Sequence, residues 1–238
     1  MFVGLGPGDP SLLTIAAVDA INNANLVAYP VAYEGAESIA REIAISLIKN
    51  KKSLPITLPM VTEKDVLNKA WKLASNQLLE AVDSYRKVAF ICQGDPSLYS
   101  TSSYLLHYIK KDESNYNIKV IPGVTSFNAA AAVAQVPLSL QKEDLIVKTV
   151  PDDSQKLEEL LDRVILYNQV LVLMKLGPRW YWVRELIKNK NLLEETFFAH
   201  RVGFHDQVIV KAKDVKLERI TYFSLLIIRK PPSYIFLE

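Results

Sequence analysis

Gly94-Asp95-Pro96-Ser97-Leu98-Tyr99-Ser100-Thr101 stands between the apolar run Val88-Ala89-Phe90-Ile91-Cys92 and the helical pattern Tyr104-Leu105-Leu106 to Ile109. The run reads as a buried strand, so the turn joins a strand to a helix. A glycine-acid-proline turn in that position is where α/β folds bind ligands. The glycine lets a ligand approach the backbone, and the proline fixes the turn. Two related turns flank it in the chain: Gly4-Leu5-Gly6-Pro7-Gly8-Asp9-Pro10 and Pro122-Gly123-Val124-Thr125-Ser126. Together they point to one composite site on an α/β scaffold.

Strands and helices alternate around these turns. Phe2-Val3 reads as a short strand stub, with room for residues upstream. A helix is expected over roughly Thr14 to Asn22, with Thr14 as its N-cap. Leu26 to Tyr29 reads as the second strand. Ala36 to Ile48 reads as a helix, because Ile39, Ile43 and Leu47 recur at helical spacing. Thr62-Glu63-Lys64-Asp65 resembles a capping box with Asp in place of Glu, opening a long helix through Val82. After the Gly94 turn come a helix to about Lys110 and a strand at Ile118 to Ile121. Further on, Leu145 to Val147, Val170 to Met174, Phe197-Phe198, Val208 to Val210 and Tyr222 to Ile228 read as strands. Helices are expected at Ser154 to Leu166 and Tyr181 to Lys188. Strands outnumber helices late in the chain, which requires antiparallel pairs. The expected organisation is two α/β domains, residues 1–122 and 123–238, with a cleft between them.

Composition narrows the function classes. The chain has 238 residues, 50% of them hydrophobic, ample for a sizeable core. A net charge of +2 makes no electrostatic case for nucleic acid or a membrane surface. No apolar run approaches the roughly 18 residues needed to span a bilayer. The chain opens directly into strand-like sequence without a charged n-region, and its single cysteine fits a reducing cytoplasm. Cys92 itself reads as a small buried hydrophobe.

Each candidate site carries a plainer alternative. Gly4-x-Gly6-x-Gly8 has the wrong spacing for a dinucleotide loop, and Pro7 removes an amide that would face a pyrophosphate. The loop is equally a tight structural turn or a rigid wall of a ligand site. Asp95 either caps the following helix or accepts from a ligand. Ser100, Thr101, Ser102 and Ser103 are ligand anchors or ordinary first-turn residues. The small residues Ala129 to Ala132 after the third turn permit close approach of a ligand or of a sheet. His107, His200 and His205 show no metal spacing, and no catalytic metal is expected. His200-Arg201 and His205 read as a solvated loop or as an anion contact. Trp180-Tyr181-Trp182 reads as a helix start that supplies core.

Taken in order, these motifs resemble the tetrapyrrole methylase family, enzymes that methylate from S-adenosylmethionine (SAM). The resemblance covers nearly the whole chain. It rests on Val3 to Pro10 with Leu13-Thr14, on Gly94-Asp95-Pro96, on Pro122 to Ser126 and on Val172-Leu173-Met174. Within the family the chain is similar to the precorrin-2 C-20 methyltransferases of cobalamin synthesis. Tyr29-Pro30 stands where several relatives carry an acidic residue after the tyrosine. Leu58-Pro59-Met60 resembles their Phe-Pro-Met, with Leu as a departure. Gly94 to Thr101 matches them throughout.

The resemblance implies a cytoplasmic homodimer with SAM in the cleft between two α/β domains, and precorrin-2 or cobalt-precorrin-2 as substrate. Carried over position by position, the cofactor-binding residues are Pro7, Gly94, Asp95, Tyr99, Ser100, Thr101, Thr125, Ser126, Met174, Leu176 and Gly203. No catalytic base is assigned; Tyr33, Glu34, His200 and His205 are loop candidates. Arg41, Lys175, Arg179 and Arg201 are candidate clamps for substrate carboxylates. The competing functions are a methylase of the same fold acting on another tetrapyrrole carbon, on diphthamide or on ribosomal RNA, a nucleotide-binding oxidoreductase, and a non-catalytic SAM- or nucleotide-binding module.

Overall fold

The computed structural model describes residues 1–111 and 116–230. The chain is α/β, as its alternating pattern predicts, and contacts divide it into one unit of Met1–Thr125 and another from Ser126 onward. The last eight residues of the expected 123–238 domain, 231–238, lie outside the described residues.

The first unit contains β1 (Phe2–Gly4), α1 (Ile15–Asn22), β2 (Leu26–Val31), α2 (Ile39–Ile43), α3 (Ile45–Ile48), β3 (Lys52–Thr57), α4 (Lys64–Tyr85), β4 (Val88–Cys92), α5 (Thr101–Lys111) and β5 (Val120–Ile121). Its five strands run in the order β3-β2-β4-β1-β5, every pair parallel. The inner strands β1 and β4 are buried at every position, so they read as continuous apolar runs rather than alternating ones. Thr14 caps α1: its hydroxyl accepts from the Ala17 N–H at 3.1 Å. Helix α4 buries Ala74, Leu78 and Ala81, a stripe at helical spacing, in the core that includes Phe2, Ile56, Phe90 and Leu105. Cys92 is buried there, and burial holds its thiol above the ordinary range.

Three local expectations change. The helix expected over Ala36 to Ile48 breaks at Ala44 into α2 and α3, and the Ser38 hydroxyl caps α2 by accepting from the Arg41 N–H. The capping box does not form. The chain stays extended through Glu63, and α4 starts at Lys64 without a side-chain cap. The N-cap position falls on Glu63 rather than Thr62, so Thr62 and Asp65 do not occupy the two ends of a box. Strand β3 was not expected at all. Lys-Ser-Leu-Pro-Ile-Thr is largely exposed, with Ile56 buried, and carries Pro55, which the ladder tolerates because β3 is an edge.

The second unit contains α6 (Ser126–Ala134), β6 (Leu145–Thr149), α7 (Ser154–Leu166), β7 (Val170–Met174), α8 (Trp180–Asn189), β8 (Thr196–His200), β9 (Val208–Lys211) and β10 (Ser224–Ile228). Its sheet has the order β6-β7-β10-β8-β9. The pair β6–β7 is parallel and the other three are antiparallel, as the late surplus of strands requires. Helix α7 buries Leu157, Leu160, Leu161 and Val164, and α8 buries Trp180, Val183 and Ile187. Trp180 is core, its ring 4.9 Å from that of Phe198. An ion pair at 2.6 Å joins Arg229, just after β10, to Glu143, before β6. Their side chains are only 9% and 6% exposed, and Glu143 also accepts from the Leu140 N–H at 2.8 Å.

Candidate functional site

In the first unit the three glycine turns leave neighbouring strand ends and touch. All five strands are parallel, so the exits of β4, β1 and β5 lie side by side at one end of the sheet. The Gly6 N–H donates to the Gly94 carbonyl at 3.2 Å, and the Gly94 N–H donates to the Gly6 carbonyl at 2.7 Å. The Gln93 amide donates to the carbonyl of buried Pro7 at 2.7 Å. A methyl on Gly123 would stand 2.2 Å from the Gly94 oxygen, and one on Gly4 would stand 2.7 Å from it. Gly4 and Gly123 are therefore glycines because backbone meets backbone. Gly94 differs. It has φ +72°, and a methyl there would meet nothing within 4 Å. Open space thus adjoins the crossing at Gly94.

Asp95 ties this crossing together. Its Oδ1 accepts from the Ser97 N–H at 2.8 Å and from the Ser97 hydroxyl, and its Oδ2 accepts from the Gly123 N–H at 2.9 Å. Partial burial works against its charge, but the bonds from Ser97 and Gly123 outweigh burial and hold the carboxyl below its ordinary range. Asp95 does not cap α5, which begins only at Thr101. The Ser100 hydroxyl accepts from the Ser102 N–H at 3.2 Å, so it serves the first turn of α5. Tyr99 is 44% exposed in a left-handed backbone, φ 49°. Pro7, Gly94, Asp95, Tyr99, Ser100, Thr101 and Thr125 all belong to this unit.

In the second unit Ser126 opens α6, Met174 ends β7, and Leu176 and Gly203 lie in the turns after β7 and β8. Both turns come back to the start of β10. The Leu176 N–H donates to the Ser224 carbonyl at 3.1 Å, and the Arg201 N–H donates to the Phe223 carbonyl at 2.8 Å. Lys175, Gly177, Arg201 and Gly203 all have positive φ here. Leu176 is fully buried in the core of this unit, and its N–H is already bonded to Ser224. The Gly203 N–H donates to the Gln207 side chain.

The basic candidates are differently placed. Arg179 pairs with Asp152, and Arg201 pairs with Asp206 at 2.7 Å while lying over the Phe204 ring. Lys175 lies over the Tyr222 ring, 5.4 Å from its centroid. His205 and His107 are exposed. His200 is not in a solvated loop: it closes β8 and is 6% exposed, because it pairs with Ser224 inside the sheet. Tyr33 is 68% exposed. Sequence reasoning passed over Thr221 and Ser224. The one signal was a serine heading the otherwise apolar run Leu225-Leu226-Ile227-Ile228.

Comparison with known proteins agrees with this architecture. The family described as Tetrapyrrole (Corrin/Porphyrin) Methylases matches residues 1–216. Cobalamin biosynthesis protein CobIJ of Mycobacterium tuberculosis (strain ATCC 25618 / H37Rv) is 33% identical over 232 residues, which are 94% of this chain and 44% of that protein. The chain thus spans less than half the length of that relative. A probable cobalt-precorrin-2 C(20)-methyltransferase of Methanocaldococcus jannaschii is 29% identical, covering 96% of this chain and 94% of its own. The uroporphyrin-III C-methyl transferase of Thermus thermophilus, solved with S-adenyl homocysteine, has the same fold. Its TM-score is 0.64 at 20% identity, covering 96% of this chain and 90% of that one. This chain belongs to the tetrapyrrole (corrin/porphyrin) methylase family.

Proposed function

We propose that this protein transfers a methyl group from SAM to carbon 20 of precorrin-2 or cobalt-precorrin-2, as a homodimer in the cytoplasm. The observation that carries the reading is the open space at Gly94, set in a crossing of three backbones in a chain of this family. The residues fit such a ligand. Half-buried glycine backbone beside open space, small hydroxyls and apolar side chains suit an adenosine and an amino acid, and no phosphate-binding cation is required. Pro7, Gly94, Tyr99, Ser100, Thr101, Thr125, Ser126, Met174, Leu176 and Gly203 hold the methyl donor, while Asp95 holds the turn. Carbon 20 is supported by Tyr29-Pro30, Leu58-Pro59-Met60 and Gly94 to Thr101, and by the similar C(20)-methyltransferase.

SAM would supply an electrophilic methyl on a sulfonium; an electron-rich meso carbon of the reduced tetrapyrrole would take it as the carbon–sulfur bond electrons pass to sulfur, S-adenosylhomocysteine would leave, and the meso carbon would then give up its proton to a base or to water. The protein orients the two reactants and keeps water out. Holding carbon and methyl in line at contact distance supplies on the order of 7–11 kcal/mol of the barrier. No enzyme nucleophile is needed. Arg41, Lys175, Arg179 and Arg201 receive substrate carboxylates; the exposed pair of Arg179 exchanges partners at little cost.

The test is incubation with SAM labelled in its methyl group and with precorrin-2 or cobalt-precorrin-2, followed by NMR of the product. Label at carbon 20 is expected. Label at another carbon overturns the position, SAM binding without transfer makes the protein a binding module, and absence of SAM binding by calorimetry overturns the reading as a whole.

A further inference from the structure

Ser224 begins β10 inside the core, 3% exposed, where the strand is otherwise aliphatic. A buried hydroxyl is disfavoured in such a place unless it is fully hydrogen-bonded. Here it is. The Ser224 hydroxyl donates to the Thr221 carbonyl at 2.6 Å and accepts from the Gly177 N–H at 3.2 Å. The Ser224 carbonyl accepts from the Leu176 N–H at 3.1 Å. One residue therefore holds two successive amides of the turn after β7. That turn needs holding, because Lys175 and Gly177 have φ +60° and +54°, and a lysine there is strained.

Thr221 is held in turn by His200. The His200 Nε2 lies 3.0 Å from the Thr221 hydroxyl and 3.5 Å from its N–H. The Thr221 N–H can only donate, and on that contact we assign the ring proton to Nδ1, which leaves Nε2 to accept from the Thr221 hydroxyl. That Nδ1 is buried with no partner among the described residues. Burial, then the neighbouring Arg201, oppose protonation of the ring, and Asp206 favours it only in part, so the imidazole stays neutral.

We propose that His200, Thr221 and Ser224 form a relay that positions the Lys175–Gly177 turn to receive SAM, with none of the three touching the reacting atoms. This rests on the proposed function, which makes the backbone from Met174 to Leu176 part of the methyl-donor site. The relay explains why polar groups stand in an apolar sheet: they fix a turn that packing alone leaves strained.

The test compares the wild-type protein with Thr221→Val and Thr221→Ser by two readouts. One is hydrogen exchange of the Gly177 amide followed by NMR without ligand; the other is SAM affinity and steady-state kinetics. Thr221→Val is expected to accelerate Gly177 exchange and weaken SAM binding roughly tenfold, the effect of one lost hydrogen bond. The loss falls on KM for SAM rather than on kcat, and Thr221→Ser restores both readouts. Should Thr221→Val fail to fold, Thr221→Ala, which also removes the hydroxyl that faces His200, gives the same comparison. Unchanged Gly177 exchange, or equal losses in Val and Ser, overturns the relay. A Gly177 response in a protein without SAM affinity overturns the methyl-donor reading and reduces the relay to a structural role.

Discussion

One methyl group separates the two neighbouring glycines of the crossing. At Gly123 it would collide with the Gly94 carbonyl at 2.2 Å, so Gly123→Ala displaces backbone. A loss of roughly 3 kcal/mol or more is expected, at the upper end of overpacking. At Gly94 the methyl enters open space, and only the left-handed φ is disfavoured, by about 1 kcal/mol. Gly94→Ala should therefore leave a folded protein with much weaker SAM binding, at least tenfold. Thermal melts and calorimetry on the two variants separate packing from ligand space. The sequence marked both glycines as motif residues but could not sort them, because the sorting depends on which backbone lies opposite. Asp95 shows the same limit. Its neighbours in sequence made it a cap or a ligand contact, whereas its strongest long-range bond goes to Gly123, a residue that only folding brings near.

At the level of elements, the buried pair of Glu143 and Arg229 clamps the start of β6 to the end of β10. Removing one partner strands the other charge in the core. Arg229→Met should cost about 3–5 kcal/mol, and the double change Glu143→Leu with Arg229→Met should recover most of it. Urea denaturation midpoints at constant slope provide the measurement. Elements with a strong period or a continuous apolar run were legible. The stripe of α7 and the run of β7 define their own limits, because burial on one face or on both is written in the spacing. Elements set by partners were not. β3 is a strand only because β2 lies beside it, and the start of α4 follows from where the chain leaves β3 rather than from its cap residues.

Across the whole molecule, the alternation of strands and helices followed by a strand-rich stretch announced two α/β units, the second with antiparallel pairs; that the first sheet is parallel throughout came from the structure. The site required more than pattern. Its first-unit residues come from three turns spread between Pro7 and Thr125, brought together by the strand order β4-β1-β5. Motif resemblance supplied what periodicity lacked. The homodimer proposed here predicts a light-scattering mass of about twice 26.8 kDa. A monomer at micromolar concentration would refute it.

Strand β3 carries a further consequence. It borders the first sheet with Pro55 at mid-strand, while β5, at the opposite border, pairs over two residues only. In the second sheet the border strand β6 includes Lys148, and β9 ends at Lys211, whose ammonium sits over the Phe197 ring. A proline lacks the N–H that an incoming strand would accept from, and a lysine resists being sealed against another chain. Among the described residues, neither sheet presents a long uncharged ladder on which a second polypeptide could build cross-β stacks. The irregularities that hide β3 from a sequence reader are the same ones that guard these aliphatic cores against aggregation.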